Sequence, residues 1–324
     1  MVASPTTRTG SERARPTAPR ASIPRLALVA AGVTALLWGS AFVVIRGVGA
    51  EFAPGPMALA RVGVAALALT PLALRAGGLR GLPRGRVLLL VGLYGALWFG
   101  GYNLVLNTAE RSIDAGTAAM LVNTAPILIA VGAGVFLGEG FPRPVLIGTV
   151  VAFAGVALMS LSGRGAGGLD PAGLGLALLA ALLYAVSVLI QKVLLRDLDG
   201  LRATWLGALV GTIVLLPFAP ALLAALPTTP GGAVAGTVYL GLFPTAVAFL
   251  TWAYALRRLP AGRAALVGYV ATLCSVLLSW AFLGEVPTAV VLAGGVLCLA
   301  GVALTRLPAR SARVPEPGGT ASRP

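Results

Sequence analysis

The chain has no histidine and only two cysteines among 324 residues. The first absence removes imidazole metal ligands, haem ligation through imidazole and any serine–histidine intramembrane protease. The second removes a disulfide framework and a zinc-binding spacing. Cys274 and Cys298 lie inside apolar runs and read as small apolar fillers. Charge is scarce as well. Only 10% of residues are charged, where a soluble domain carries about a quarter. The one close acidic pair, Asp197 and Asp199, sits beside Lys192, Arg196 and Arg202 and reads as a solvated loop. No second acidic cluster completes a metal site, so neither metal nor cofactor is expected.

What is present is apolar. Hydrophobic residues make up 58% of the chain, and the mean hydropathy is +0.94. This composition predicts an all-α polytopic membrane protein whose first partner is the lipid bilayer. The net charge of +14 could suit nucleic acid. The arginines, however, fall in short gaps between apolar runs instead of along one face, so no nucleic-acid partner is expected.

Ten apolar segments follow one another, near 26–47, 53–74, 86–107, 115–137, 142–162, 172–193, 202–223, 234–256, 261–283 and 287–306. Each has about the 20 residues a helix needs to cross the hydrocarbon core. They are continuously apolar, which excludes a barrel of alternating strands. Residues 1–25 and 307–324 share an Arg/Pro bias and read as disordered tails. The Arg-rich start also resembles a transit peptide, but the same bias at the other end favours a tail. The run Leu26 to Ile45 is long enough to span and shows no cleavage site. With the amino terminus placed in the cytoplasm, 20 Lys and Arg fall inside and 3 outside (Arg46, Arg111 and Arg164), with Arg61 within a span. The bias therefore predicts cytoplasmic termini at both ends.

The chain also repeats itself. Ala115 to Leu158 returns from Ala261 without a gap, an offset of 261 − 115 = 146. Both copies open Ala-Gly-x-Ala-Ala, pass Phe-Leu-Gly-Glu and close Ala-Gly-Val-Ala-Leu. Trp38 falls on Tyr184, Gly95 on Gly241 and Arg111 on Arg257 at the same offset. The expected organisation is thus two five-helix repeats, 26–162 and 172–306, joined by a linker at 163–171. Five is odd, so the second repeat crosses the membrane upside-down relative to the first. Inverted repeats place a substrate site near mid-membrane, between the halves.

With Trp38-Gly39-Ser40-Ala41-Phe42 in span 1, Arg61 in span 2 and a Phe-Leu-Gly-Glu in each half, the chain resembles the EamA-type transporters of the drug/metabolite transporter superfamily. The resemblance covers roughly residues 26 to 306. It implies a secondary transporter, often an exporter of amino acids or other small metabolites. It also implies a central cavity lined by spans 1, 3, 4, 6, 8 and 9.

The residues support that cavity independently. Polar and amphipathic side chains at mid-depth are costly unless they face a partner or a cavity. They occur on these same spans: Trp38 and Ser40; Tyr94 and Trp98, four apart and so on one face; Asn123 and Thr124; Tyr184 and Ser187; Thr245; Tyr269 and Thr272. Spans 5, 7 and 10 are nearly blank and read as lipid-facing or scaffold helices. Trp38, Tyr94, Trp98, Asn123, Tyr184 and Tyr269 form the expected substrate pathway, against the competing reading of ordinary helix packing. Tyr102, Trp205, Tyr254 and Trp280 suit the interfacial aromatic belt better.

Arg61 lies about 12 Å into span 2. Roughly 2.5–3.5 kcal/mol opposes an arginine near the bilayer centre, so it must face protein or water. It is either a gate that meets an anionic substrate group or a structural arginine on helix-end carbonyls. The absence of an acid at comparable depth tilts towards the second. Glu139 and Glu285 occupy equivalent places, either as symmetric gates or as helix-end carboxylates bound to backbone N–H groups. Pro126 and Pro244 predict kinks.

The expected function is export of a small metabolite across the cell membrane by alternating access, and not an enzymatic reaction. With no carboxylate within a span, facilitated diffusion or weak proton coupling is expected. The competing class is an integral membrane enzyme acting on lipid-linked substrates, but the chain offers neither an activated nucleophile nor a metal cluster for it. A channel suits the internal repeat less well. Single replacement of Trp38, Asn123 or Tyr269 should abolish flux in cells while membrane insertion stays normal. Unchanged flux in all three would reject the placement.

Overall fold

A computed structural model of the chain describes residues 25–77, 82–125, 127–128, 143–161, 170–258 and 266–304. These residues contain helices and turns but no strand. In chain order the helices are α1 (Arg25–Val48), α2 (Pro54–Arg75), α3 (Gly85–Ala109), α4 (Ala115–Val122), α5 (Arg143–Leu161), α6 (Pro171–Asp197), α7 (Gly200–Ala225), α8 (Gly231–Leu256), α9 (Leu266–Leu283) and α10 (Ala289–Leu304). Among them α1, α2, α3, α6, α7 and α8 are long and apolar enough to cross a membrane. Shorter apolar stretches lie in α5, α9 and α10. Glu139, Pro126, residues 1–24 and 307–324 of the tails and residues 163–169 of the linker fall outside the described residues.

Local chemistry sets the helix starts. Pro54 and Pro171 stand in first turns, where a missing N–H is not felt. Asp114, Asp170 and Asp199 are N-caps. Their carboxylates accept from the backbone of Thr117 at 2.8 Å, of Gly173 at 3.2 Å and of Arg202 at 2.9 Å. Asp199 is therefore a cap on α7 rather than a free loop acid.

The repeat is visible in the backbone. A π-helical segment interrupts α3 at Gly95–Tyr102 and another interrupts α8 at Gly241–Val247. The two begin 241 − 95 = 146 residues apart. Each opens where two helices nearly touch. A Cβ on Gly95 would lie 2.7 Å from the Gly207 carbonyl oxygen, and one on Gly241 would lie 2.6 Å from the Arg61 carbonyl oxygen. Gly207 is Arg61 shifted by the same 146. Helix α3 thus crosses α7 as α8 crosses α2.

The crossing of α5 with α10 obeys the same rule. A Cβ on Gly155 would lie 2.5 Å from the Gly294 oxygen and the Cys298 nitrogen. One on Gly301 would lie 2.6 Å from the Gly148 oxygen and 2.5 Å from the Ala152 nitrogen. The partners are again 146 apart. In hydrocarbon, where burying apolar surface gives no net drive, such backbone-to-backbone approach supplies the packing that joins helices. Helix α1 packs on α9 and α2 on α7, so the two halves interlock instead of lying side by side.

The outward faces remain apolar. Leu67 and Phe282 are each 75% exposed, an arrangement that suits lipid and not water. Trp280 belongs with them at 63%. Trp205 does not. It is buried and donates from Nε1 to the Thr70 hydroxyl at 3.0 Å, so it joins α7 to α2 and is not a belt residue.

Gly155→Ala should destabilise the chain by about 1–3 kcal/mol, because backbone must move to admit the methyl. Gly175→Ala meets open space and should be neutral or slightly stabilising. Thermal unfolding of both variants in one detergent measures the difference.

Candidate functional site

Between the halves lies a cavity enclosing about 650 Å³ of empty space, its open mouth included. Trp38, Ala41 and Phe42 line it from α1, and Arg61 from α2. Trp98, Tyr102, Asn103 and Leu106 line it from α3. Val122 and Asn123, at the end of α4, and Tyr184 of α6 close one side. Thr245 and Phe249 of α8 and Gly268 and Ala271 of α9 close the other. Among the described residues, none of α5, α7 or α10 lines it.

Its walls are an aromatic cluster. The Trp98 ring stands edge-on to Tyr184 at 5.2 Å and to Phe249 at 4.9 Å between centroids. Trp38 meets Phe249 at 5.8 Å and Trp252 at 5.4 Å. Edge-to-face pairs of this kind fix ring orientation. They leave a rigid apolar surface facing the cavity.

Two polar groups project into this surface. Arg61 is 5% exposed and donates from Nε to the Thr245 hydroxyl at 2.9 Å. Its Nη1 has no hydrogen-bond partner among the described residues. Thr245 is held in turn, since its hydroxyl also bonds the Leu240 carbonyl at 2.8 Å, five residues back across the widened π turn. The guanidinium is therefore fixed through Nε, with a buried N–H donor at Nη1 left over. Asn123 donates from Nδ2 to the Ala119 carbonyl at 2.9 Å and to the Thr272 hydroxyl at 2.6 Å, bridging α4 to α9.

Trp38, Trp98, Asn123 and Tyr184 thus meet in one place. Tyr94 does not join them. It is fully buried one layer behind, against Gly207 of α7, with its hydroxyl accepting from the Gln191 amide at 3.2 Å. Its ring still meets Trp98 edge-on at 5.6 Å, as a spacing of four implies, so Tyr94 backs the ring that faces the cavity. Tyr102, expected in the interfacial belt, lines the cavity instead. Tyr269 lies on α9, but its side chain is outside the described residues.

Glu285 sits at the far end of α9 and forms an ion pair with Arg46 of α1, Nε to Oε1 at 2.7 Å. It also accepts from the Ser279 hydroxyl at 3.2 Å and, more loosely, from the Ala115 nitrogen at 3.5 Å. The backbone it meets opens α4, not the helix that follows it. Arg46 donates from Nη1 to the carbonyl of Glu110 at 2.7 Å. The expectation of an acid-free environment for Arg61 is corrected here. Glu110, one residue beyond α3, is 2% exposed, and neither carboxylate oxygen has a partner among the described residues. The hydropathy pattern hides it, because it falls just past the end of a span.

The profile of the EamA-like transporter family matches the chain twice, over residues 25–161 and 171–307. A protein of Streptantibioticus cattleyicolor described as a probable terminal-alkyne amino-acid exporter is 37% identical over 275 residues, or 84% of this chain and 90% of that protein. The uncharacterized transporter YdfC of Bacillus subtilis is 31% identical over 275 residues, or 84% and 88%. A solved crystal structure superposes with a TM-score of 0.59 at 21% identity, over 88% of this chain and 97% of that one, a likeness of fold.

Tyr94→Phe leaves the Gln191 amide buried without its acceptor and should lower stability by about 1–3 kcal/mol. It should leave the cavity's solute affinity unchanged, whereas Trp98→Ala should weaken that affinity. Parallel thermal-unfolding and binding measurements separate the two layers.

Proposed function

The chain belongs to the EamA-like transporter family, and from that premise we propose that it exports a small, apolar α-amino acid across the cell membrane by alternating access. In this reading ten helices form two inverted five-helix repeats with both termini in the cytoplasm. The 20-to-3 distribution of Lys and Arg supports the orientation. The family resemblance and the relative named as an amino-acid exporter support the substrate class.

One observation carries the proposal. Among the described residues one buried guanidinium, Arg61, lines the cavity, anchored through Nε and unpartnered at Nη1, beside an aromatic wall. A free N–H of a buried arginine matches a carboxylate, by a charge-assisted bond of the strong kind. The aromatic faces of Trp38, Trp98 and Phe249 suit a short apolar side chain, and the rings exclude water from it. Alternating access then consists of one repeat rocking on the other around this site. The π segments in α3 and α8 flank it, and such segments are weak points at which a helix can change shape.

Export of propargylglycine, a terminal-alkyne amino acid, tests the proposal. Cells overproducing the chain should clear it faster than control cells. Arg61→Gln should lower the initial rate about 10- to 150-fold, the loss of one charged hydrogen bond. Arg61→Lys should recover part of it. Equal clearance with and without the chain would reject the amino-acid reading.

A further inference from the structure

The buried polar atoms left without partners are not scattered. Several lie in one line that starts at the cavity. They are Arg61 Nη1, Asn103 Oδ1, Asn107 Oδ1 and both carboxylate oxygens of Glu110. Asn103, Asn107 and Glu110 are spaced by four and then three residues, so they share a face of α3 and its final turn. They are 4%, 1% and 2% exposed. The two asparagine amides are oriented by their donors. Asn103 Nδ2 donates to the carbonyls of Trp98 and Phe99, each at 3.0 Å. Asn107 Nδ2 donates to the Pro54 carbonyl at 3.2 Å. Both amide oxygens are thereby left free, so the line beyond Arg61 offers only acceptors.

Such a line has a cost. A buried acceptor without a partner loses about 1–3 kcal/mol, and more when it is charged. Four in a row form a line of buried acceptors that begins at Asn103, which lines the cavity, and ends at Glu110, whose carbonyl is bound by Arg46 beside Glu285.

We infer that Glu110 is a proton-binding site that exchanges one proton for each amino acid released, served by this line of acceptors. The inference rests on the transporter reading above and adds its energy source. When the mouth at the Glu285 face opens, the Glu110 carboxylate takes a proton from water and forms an O–H bond. When the opposite mouth opens, that bond breaks and the proton leaves with water through the cavity. The ammonium group of the solute and the proton are both cations seeking the same acceptors, so the arrival of one favours the departure of the other.

The charged groups around Glu110 come from every side. Arg61 faces it from α2, Arg46 from α1, Glu285 from beyond α9 and Asp114 from the start of α4. Burial pushes its carboxyl well above the usual carboxylate range, opposed first by Arg61 and then by Arg46, and reinforced by Glu285 and Asp114. Arg46 is held by Glu285 at 2.7 Å. Arg61 is in the cavity, where a bound carboxylate alters its field. The proton site and the solute site therefore share one guanidinium.

Two measurements on the purified full chain decide this. An infrared pH titration should show a protonated-carboxyl band that persists above the usual carboxylate range and is lost in Glu110→Gln. An unchanged band in the variant would overturn the inference, whatever the solute. In proteoliposomes, a pH gradient should drive accumulation of radiolabelled propargylglycine. Glu110→Gln should abolish that accumulation while retaining exchange counterflow of the same label. Glu110→Asp should restore it with a displaced pH profile, which separates a lost proton site from a misfolded chain. Accumulation in Glu110→Gln equal to the parent chain, or parent flux indifferent to the gradient, would also overturn it. Failure of the parent chain to move propargylglycine at all counts against the substrate class, and the infrared result still decides the proton site.

Discussion

Everything in this molecule depends on backbone meeting backbone at glycine. A helix inside a bilayer has already satisfied its own hydrogen bonds, and lipid solvates its side chains as well as another helix does. Helices must therefore be joined by closeness. The four crossings of α3 on α7, α8 on α2 and α5 with α10 in both directions place would-be Cβ atoms within 2.7 Å of a partner's backbone. Each crossing has an equivalent 146 residues away. The scaffold is thus two copies of one solution, interlocked so that neither half completes its packing alone. The cavity is the space left around the pseudo-axis once these crossings are made.

Much of this is legible in the sequence, for a definite reason. The offset of 146 between Ala115–Leu158 and its copy is a fact about letters, and the two family matches, 25–161 and 171–307, fall on the two halves it defines. Span limits follow from hydropathy, since only a sustained apolar run can hold a helix in hydrocarbon. The helices α1, α3, α4, α6, α8 and α9 line the cavity as the distribution of polar residues implies, with α2 added through Arg61. What pattern reading misses is which ring of a touching pair faces the cavity. Tyr94 and Trp98 meet at 5.6 Å, yet only Trp98 lines the cavity. Tyr102 lines it too, although its place towards a span end suits the interfacial belt. Gly207 and Gly211, spaced like many glycine pairs in a chain with 43 glycines, seat Tyr94 and Phe99. Only the partner helix distinguishes a meaningful pair from a chance one.

Polar groups divide into two populations. Most hydroxyls are satisfied within their own helix. Thr70, Thr108, Thr204, Thr212 and Thr237 each bond the carbonyl four residues back, which neutralises them locally. Others reach across helices. At the cavity Thr245 meets Arg61 and Thr272 meets Asn123. Away from it Thr34 meets Thr251, Ser40 meets Tyr239 and Thr70 also accepts from Trp205. A hydroxyl that bonds a neighbouring helix fixes that helix pair, and at the cavity those pairs hold the site in shape.

The symmetry of the scaffold makes the asymmetry of its chemistry informative. Shifted by 146, Arg61 becomes Gly207, Asn103 becomes Phe249, Asn107 becomes Ala253 and Glu110 becomes Leu256. Every member of the polar line has an apolar or absent counterpart, while the glycine crossings and π segments are kept in both halves. In the alternating-access cycle proposed above, identical halves would make the two access states mirror images. A charged line in one half alone breaks that equivalence, because Asn103, Asn107 and Glu110 stand where the other half has Phe249, Ala253 and Leu256. The two states of the proposed cycle then differ in how they solvate charge, and the four substituted positions give that cycle its polarity.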